Sequence, residues 1–471
     1  MAEIKPVSST KLTPPASLAT DRIGKDPIGR LLLDFSIPAI IGMLVNATYN
    51  IVDRIYIGQG VDVLAIAGIG IVMPVTMIIQ ACSMLVGIGA NSLFSIRMGE
   101  KRSDEVEKIM GHAFLLLFLI PGVCVIVCLI FMEPILHDIM KASGKVYEYA
   151  RTYLRISLYG AIFAAMSPGL THFIRSDGHP KTSMLVQVVG ALLHIILDPI
   201  FIFALDLGVA GAAWVTVVSQ FISFVFVLGY FSSKWTRLRF RVKYMKLNAK
   251  LTGAILAIGF APFIMQLAMS LVGILQNVTV LKYGGDEALT AMTIFFSMLT
   301  VMIMPLMGIG QGAQPIIGYN YGAKQYDRVK KCFKLAFIAC TGVLSAGFLV
   351  AQIVPGLCFS MFSKDTGSLR ELGILTIRIC TSMFPFVAVQ MLGGQLFQAI
   401  GKPVQAAVLS LSRQILFLIP SIIFLPILFE ALGIRPIFGV YWAFPLSDIC
   451  TSIISGIFVF REFKAWKNYG K

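Results

Sequence analysis

Twelve long apolar runs divide this chain, and each is long enough to cross a lipid bilayer as a helix. A membrane-spanning helix needs about 20 predominantly apolar residues. The runs are continuous and do not alternate at every second residue, which favours helices over the strands of a membrane barrel. Charged residues make up only 13% of the 471 residues, whereas a soluble domain carries about 25%. The sequence therefore predicts an all-α integral membrane protein.

The predicted spans fall near residues 33–57, 64–92, 109–132, 148–173, 181–204, 210–231, 252–281, 287–314, 332–354, 372–398, 404–428 and 437–460. Most of them contain a proline, which bends a helix by removing one backbone hydrogen bond. Neighbouring helices tolerate such bends in membranes, and broken helices are common in transporters.

The basic residues are distributed unequally between the two sides of the predicted membrane. One side, with both termini and the even-numbered loops, collects 28 lysines and arginines, the other side collects 6, and five lie within spans. Because basic loops stay in the cytoplasm, this asymmetry predicts that both termini are cytoplasmic. It also accounts for the net charge of +15, so we expect a lipid bilayer and no nucleic acid as partner. The eight cysteines show no paired spacing typical of disulfides or zinc sites.

The second half of the chain repeats the first at an offset of about 223 residues. The matching segments are Gly87 to Asn91 with Gly310 to Gln314, Gly99 to Lys101 with Gly322 to Lys324, and Gly178 to Pro180 with Gly401 to Pro403. Because each half has six spans, both lobes start from the same side and form a parallel repeat. Two such lobes can rock about a central cavity, which favours a secondary transporter over a channel, a receptor or a membrane enzyme.

The repeat and the polar segments together predict the domain organisation. The predicted parts are a disordered cytoplasmic tail (1–30), an N-lobe of six helices (31–231), a basic cytoplasmic linker (232–250), a C-lobe of six helices (251–462) and a cytoplasmic tail (463–471). The first tail is polar and contains Pro14 and Pro15, which is typical of a chain end without packed structure.

Two aspartates lie inside apolar runs of the N-lobe. A carboxylate costs about 3 kcal/mol at the centre of a membrane helix, so such an acid is a functional-site hypothesis. Asp53 shares one helical face with Asn46, Tyr49 and Asn50, and Asp198 shares one with Gln187 and His194. Both acids lie roughly 7–9 Å inside the same predicted boundary, by helical rise. We therefore expect the two polar stripes to meet.

The repeat shows that only the N-lobe carries these ionisable groups. Asn277 stands at the position of Asp53, Ser421 at that of Asp198, and Phe417 at that of His194. An ion-coupling site is therefore expected in the N-lobe. Two other interpretations remain open, namely that Asp53 pairs with the adjacent Arg54, and that His194 only packs and hydrogen bonds with Asp198.

Three segments carry a resemblance to a known family. They are Ala47 to Asp53 in the first span, Ile195 to Ile202 in the fifth and Gly211 to Thr216 in the sixth. Their order and spacing, over roughly residues 28–465, resemble the multidrug and toxin extrusion (MATE) family, and within it the prokaryotic branch of DinF-like and MepA-like exporters. The resemblance implies a MATE-like fold of twelve helices in two lobes, without enzymatic activity or cofactor.

This resemblance also implies a function. It is the export of cationic, often aromatic drugs from a prokaryotic cell across its plasma membrane, driven by influx of protons or sodium through alternating access. We expect drug-like cations as small-molecule partners and a monomer as the working unit. A flippase for lipid-linked precursors, from the same superfamily, is the alternative, but few basic residues lie mid-span to bind its phosphates.

The resemblance assigns a cation site to the N-lobe. It consists of Asp53, Asp198, Tyr49 and Thr216, with Asp53 and Asp198 as ligands if the ion is sodium. The polar stripes add Asn50 and His194 to this candidate site. Some relatives have an asparagine where this chain has His194. Since sodium prefers oxygen ligands and histidine titrates near neutrality, the substitution favours protons over sodium.

The substrate surface and a second ionisable pair are the remaining predictions. The candidate cavity residues are Asn46, Gln187, Ser167, Thr171, Gln276, Asn277 and Met292, since amides, hydroxyls and adaptable methionines suit a promiscuous surface. In the C-lobe, Arg413 and Asp448 reach similar predicted depths. They form either a structural salt bridge or a gating pair.

Overall fold

The computed structural model describes residues 22–61, 63–233, 236, 242–363 and 365–469. Nine of the described helices are long and apolar enough to cross a membrane, and a helix pair bent by 51° makes a tenth crossing. One of the nine, Ala249–Gly322, breaks at Gly285 and so supplies two crossings. The more polar helix Gly144–Ser176 supplies the twelfth in this part of the chain. The predicted all-α fold with twelve membrane helices is thus confirmed.

The N-lobe contains six of these helices. They are α1 (Ile28–Gly60), α2 (Val63–Gly99), α3 (Ser103–Ile130), α4 (Gly144–Ser176), α5 (Pro180–Pro199) and α6 (Gly208–Ser232). Short elements, Met132–Pro134 and Ile135–Ile139, connect α3 with α4. A π-helical turn, Ile200–Ala204, continues α5 directly after Pro199.

The C-lobe follows after a 3-10 turn at Val242–Tyr244. Its helices are α7 (249–284), α8 (286–322), α9 (Tyr326–Ile353), α10 (Ser368–Thr381 with Phe384–Ala399), α11 (Pro403–Leu411, a π-helical Ser412–Leu418, and Ile419–Ala431) and α12 (Pro436–Tyr469). Helix α7 turns into α8 at Gly285, whose φ of 65° is a backbone conformation that glycine adopts readily. The short helix Pro355–Ser360 follows α9.

The lobes pack backbone to backbone near the end of the bundle where α1 begins and α12 ends, which we call the termini end. Gly99 lies against the carbonyl oxygen of Tyr319, and Gly322 lies against that of Ile96. These two contacts are related by the offset of 223, so the repeat forms a near-symmetric crossing of α2 and α8. A Cβ atom at Gly99 or Gly322 would lie 1.9 or 2.0 Å from the facing oxygen. Gly99 and Gly322 are therefore required by close helix packing.

Polar contacts between the lobes are also found toward the termini end. The Arg175 guanidinium donates to Gln311 Oε1 at 2.9 Å, from α4 to α8. The Ser270 hydroxyl on α7 donates to the Met77 sulfur at 3.6 Å, near the middle of α2. These hydrogen bonds join the lobes from the termini end to about the middle of α2.

The structure corrects the prediction that residues 1–30 are a disordered tail, and the correction concerns its last part, residues 22–30. Residues 22–25 are helical, Ile23 is only 1% exposed, and α1 begins at Ile28. Arg328 donates to the carbonyl oxygens of Ile23 and Asp26, at 3.0 and 2.8 Å. Residues 22–30 are thus anchored to the C-lobe, while residues 1–21 lie outside the described part of the chain.

The predicted tail at residues 463–471 is also corrected. Helix α12 continues to Tyr469, and Trp466 is 3% exposed. Its indole nitrogen donates to Glu462, which also pairs with Lys402 at 2.6 Å. These contacts hold the last turns of α12 against the lobe, so no tail begins at residue 463.

Candidate cation-binding site in the N-lobe

Helices α1 and α5 bring three ionisable side chains together. Asp53 lies two turns before the end of α1, and His194 and Asp198 lie one turn apart at the end of α5. One ligand atom from each of the three lies within 4.8 Å of the others. The polar stripes predicted on these two helices therefore meet.

The α5 members of this cluster are deeply buried. Asp198 is 1% exposed and His194 is 4% exposed. Both carboxylate oxygens of Asp198 and both ring nitrogens of His194 lack a hydrogen-bond partner among the described residues. Buried polar atoms are nearly always paired in proteins, and the exceptions mark strained or functional positions. These atoms are therefore positioned to bind a cation that reaches them.

One of the interpretations left open from the sequence can now be judged. The separation between His194 Nδ1 and Asp198 Oδ2 is 3.9 Å, which is too long for a hydrogen bond. His194 is instead held by stacking on Tyr49, with ring centroids 4.8 Å apart and planes inclined by 22°. The alternative pairing of Asp53 with Arg54, and the predicted role of Asn50, fall on side chains outside the described part.

Tyr153 on α4 is a site residue that sequence reasoning missed. It lies beside Thr216 of α6 and interacts electrostatically with Asp53 and Tyr49. Thr216 itself donates to the carbonyl oxygen of Ala212 at 3.1 Å. The signal that could have revealed Tyr153 is its place in the unusually polar first half of α4. Four helices, α1, α4, α5 and α6, thus surround the cluster.

The comparison with protein-family models decides the family. The MatE family model matches residues 38–200 and 262–423, one match in each lobe and together more than half of the chain. This protein belongs to the MatE family. It is therefore a multi-pass membrane transporter and not an enzyme.

The similar proteins place this MatE transporter on the MepA-like branch. Multidrug export protein MepA of Staphylococcus haemolyticus is 26% identical over 436 residues, covering 92% of this chain and 93% of that protein. MepA of Staphylococcus aureus strain NCTC 8325 is 26% identical over 441 residues, covering 93% and 94%. These names give no support to the lipid-linked-precursor flippase considered from the sequence.

Solved structures support the same fold. A multidrug resistance MATE family transporter, described as outward-facing, aligns with a TM-score of 0.88 at 22% identity, covering 95% of this chain and 98% of that one. A MOP superfamily transporter from Pyrococcus furiosus aligns with a TM-score of 0.87 at 22% identity, with the same coverage. The arrangement of two six-helix lobes is therefore that of MATE transporters.

The predicted substrate surface of this MatE transporter is only partly accessible. Asn46 on α1 and Asn277 on α7 are exposed, and Gln187 is half-buried, with its side chain facing Gly42. The prediction for Met292 is wrong in this conformation, because it is 1% exposed and packs in the C-lobe hydrophobic core. The remaining candidates, Ser167, Thr171 and Gln276, are 3%, 4% and 2% exposed, so they do not line an open surface either.

The predicted pair of the C-lobe is formed. Arg413 Nε lies 2.7 Å from Asp448 Oδ1, and Gln390 donates to the same oxygen at 3.0 Å. Asp448 is 1% exposed, whereas the Arg413 side chain is 28% exposed. Because this acid already has a cationic partner and an amide donor, it differs from Asp198. The structural salt bridge and the gating pair both remain compatible with these contacts.

Proposed function

We propose that this protein exports cationic, aromatic drugs across the plasma membrane in exchange for an inward-moving cation. The observation that carries the proposal is the cluster of Asp53, His194 and Asp198 in one lobe. The buried polar atoms of its two α5 members have no hydrogen-bond partner among the described residues. The MepA relatives are named multidrug export proteins, which supports drugs as the substrate class. The N-lobe position of the cluster supports coupling there, because the C-lobe acid is already neutralised by Arg413.

The proposed coupling ion is the proton, with sodium as the alternative. Two carboxylates close together repel one another, and a bound proton or cation relieves that repulsion. The imidazole of His194 is a poor ligand for sodium and a good proton acceptor. We infer that protonation removes charge from the site and changes how α1 and α5 pack, near Pro38 and Pro199.

We infer that the conformation described here is outward-facing, with both termini in the cytoplasm. The lobes are held together at the termini end by Arg175 with Gln311 and by the crossing of α2 and α8. Asn46 is exposed near the middle of α1, and Asn277 is exposed two turns before the end of α7, nearer the opposite end. In this state the acids take up the cation from outside and a drug leaves. After the lobes rock, release of the cation inside restores negative charge, which attracts a cationic drug.

The experiment that tests this proposal imposes one gradient at a time on proteoliposomes loaded with a fluorescent cationic dye. We expect an inward proton gradient to drive dye efflux well above the rate of empty liposomes, and a sodium gradient of equal size to have little effect. Efflux driven by sodium alone would assign sodium as the coupling ion. Efflux that responds to neither gradient would contradict the proposed antiporter.

A further inference from the structure

The N-lobe cluster has the donor set of a transition-metal site. We propose that Asp53, His194 and Asp198 bind a divalent first-row transition-metal ion of the zinc class, and that this ion blocks the coupling site. The blocking part rests on the function proposed above, whereas the binding part stands on the geometry alone. Imidazole nitrogen and carboxylate oxygen are both ligands of Zn²⁺, whereas hard cations such as sodium favour oxygen alone.

The donor types of the cluster favour a divalent ion. A carboxylate attracts a divalent cation more strongly than a monovalent one, because the Coulomb energy scales with the product of the charges. The neutral form of imidazole contributes a third ligand without adding charge. The composition of the cluster thus matches a divalent ion better than a single sodium ion.

The geometry requires only a small contraction. Zinc bonds of about 2.0–2.2 Å in a tetrahedral site place ligand atoms about 3.3–3.6 Å apart. The three ligand atoms lie within 4.8 Å of one another, so the most distant pair must approach by about 1.2–1.5 Å at most. His194 and Asp198 have no hydrogen bond to break among the described residues. Asp198 directly precedes Pro199 and the π-helical turn Ile200–Ala204, a kind of irregularity that is frequent at functional sites.

The other four histidines of the described chain are less suited to bind a metal. His172 interacts electrostatically with the Arg175 cation on the same helix, which disfavours a bound metal ion. His112 already bonds Thr252 at 2.8 Å, and His179 bonds the Tyr230 hydroxyl at 2.8 Å. His137 lies next to Asp138 on the surface, with a side chain that is 75% exposed. This exposed pair serves as a control for adventitious binding.

Cobalt(II) is a suitable probe because its visible absorption reports ligand geometry, whereas Zn²⁺ is silent. We expect the purified full-length protein to bind one Co²⁺ per chain, with an absorption band that Zn²⁺ removes by displacement. His194→Asn and Asp198→Asn should each weaken Co²⁺ binding by about 10- to 100-fold or more, while His137→Ala should bind as the wild type does. Melting temperatures close to that of the wild type would show that the variants are folded. The absence of the band in the wild type, or an equal band in His194→Asn, would overturn the proposal.

A transport measurement separates this inference from the proposed function. In proteoliposomes with a driving cation gradient, Zn²⁺ should inhibit dye efflux and a chelator should restore it. Gradient-driven efflux from a wild type that binds no Co²⁺ would reject the metal site and leave the antiporter intact. Site-specific Co²⁺ binding without efflux under any gradient would reject the antiporter and leave the metal site. Binding of Zn²⁺ without inhibition would reject the blocking role.

Discussion

Replacing Asp198 with asparagine is expected to abolish gradient-driven dye efflux, by about 100-fold or more, while the protein remains folded. Asparagine has nearly the same shape but cannot carry the charge on which cation binding depends. Since Asp198 is 1% exposed and its oxygens have no partner among the described residues, a neutral amide removes an unfavourable buried charge. We therefore expect a melting temperature equal to or above that of the wild type. Asp53→Asn should lose efflux in the same way.

Asp206→Asn is the matched control for this experiment. Asp206 follows the π-helical turn after α5, is exposed, and has a φ of 50°, which asparagine also tolerates. The same chemical change outside the cluster should therefore leave efflux at the wild-type rate. If Asp53→Asn and Asp198→Asn both pump as the wild type does, the proposed coupling site is wrong.

The second large effect is expected where α7 of the C-lobe packs against α2 of the N-lobe. A Cβ atom at Gly259 of α7 would lie 1.6 Å from the carbonyl oxygen of Leu85 on α2, so Gly259→Ala forces the lobes apart at this contact. Overpacking of this kind costs about 1–3 kcal/mol, which corresponds to a shift of about 5- to 150-fold in a conformational equilibrium. We expect a lower melting temperature, slower efflux and a larger population with separated lobes. Pulsed electron–electron distance measurements between spin labels on the two lobes report that population.

Gly253→Ala provides the matched control on the same helix. A Cβ atom at Gly253 has no neighbour within 4 Å, and alanine stabilises a helix by up to about 1 kcal/mol relative to glycine. This variant should melt at or above the wild-type temperature. Equal behaviour of the two variants would show that the contact between Gly259 and Leu85 does not hold the lobes together.

The sequence was most informative where a charged residue stood inside an apolar run. Asp53 and Asp198 stood out because carboxylates are rare in apolar runs, and helical periodicity then aligned them with Tyr49 and His194. The twelve crossings and the two lobes were predictable because bilayer thickness sets helix length and because the repeat is preserved in its glycines. The packing role of those glycines became clear only from the facing carbonyl oxygens.

The sequence was least informative where the orientation of an ordinary side chain decided the outcome. Met292 suits both a drug surface and a core, and only the packing of α8 shows that it lies in the core. Residues 22–30 resemble a solvated tail, because their anchor, Arg328, lies about 300 residues later in the chain. Tyr153 resembles an ordinary aromatic residue near a helix end until α6 brings Thr216 beside it.

Ion movement driven by drug alone is the measurement that tests coupling most directly. Proteoliposomes containing a pH indicator, with no imposed ion gradient, receive an outward gradient of cationic dye. We predict that efflux of the dye acidifies the lumen, that Asp198→Asn abolishes this acidification, and that Asp206→Asn retains it. Dye efflux by the wild type without any accompanying entry of protons or radioactive sodium would contradict a cation-coupled exporter.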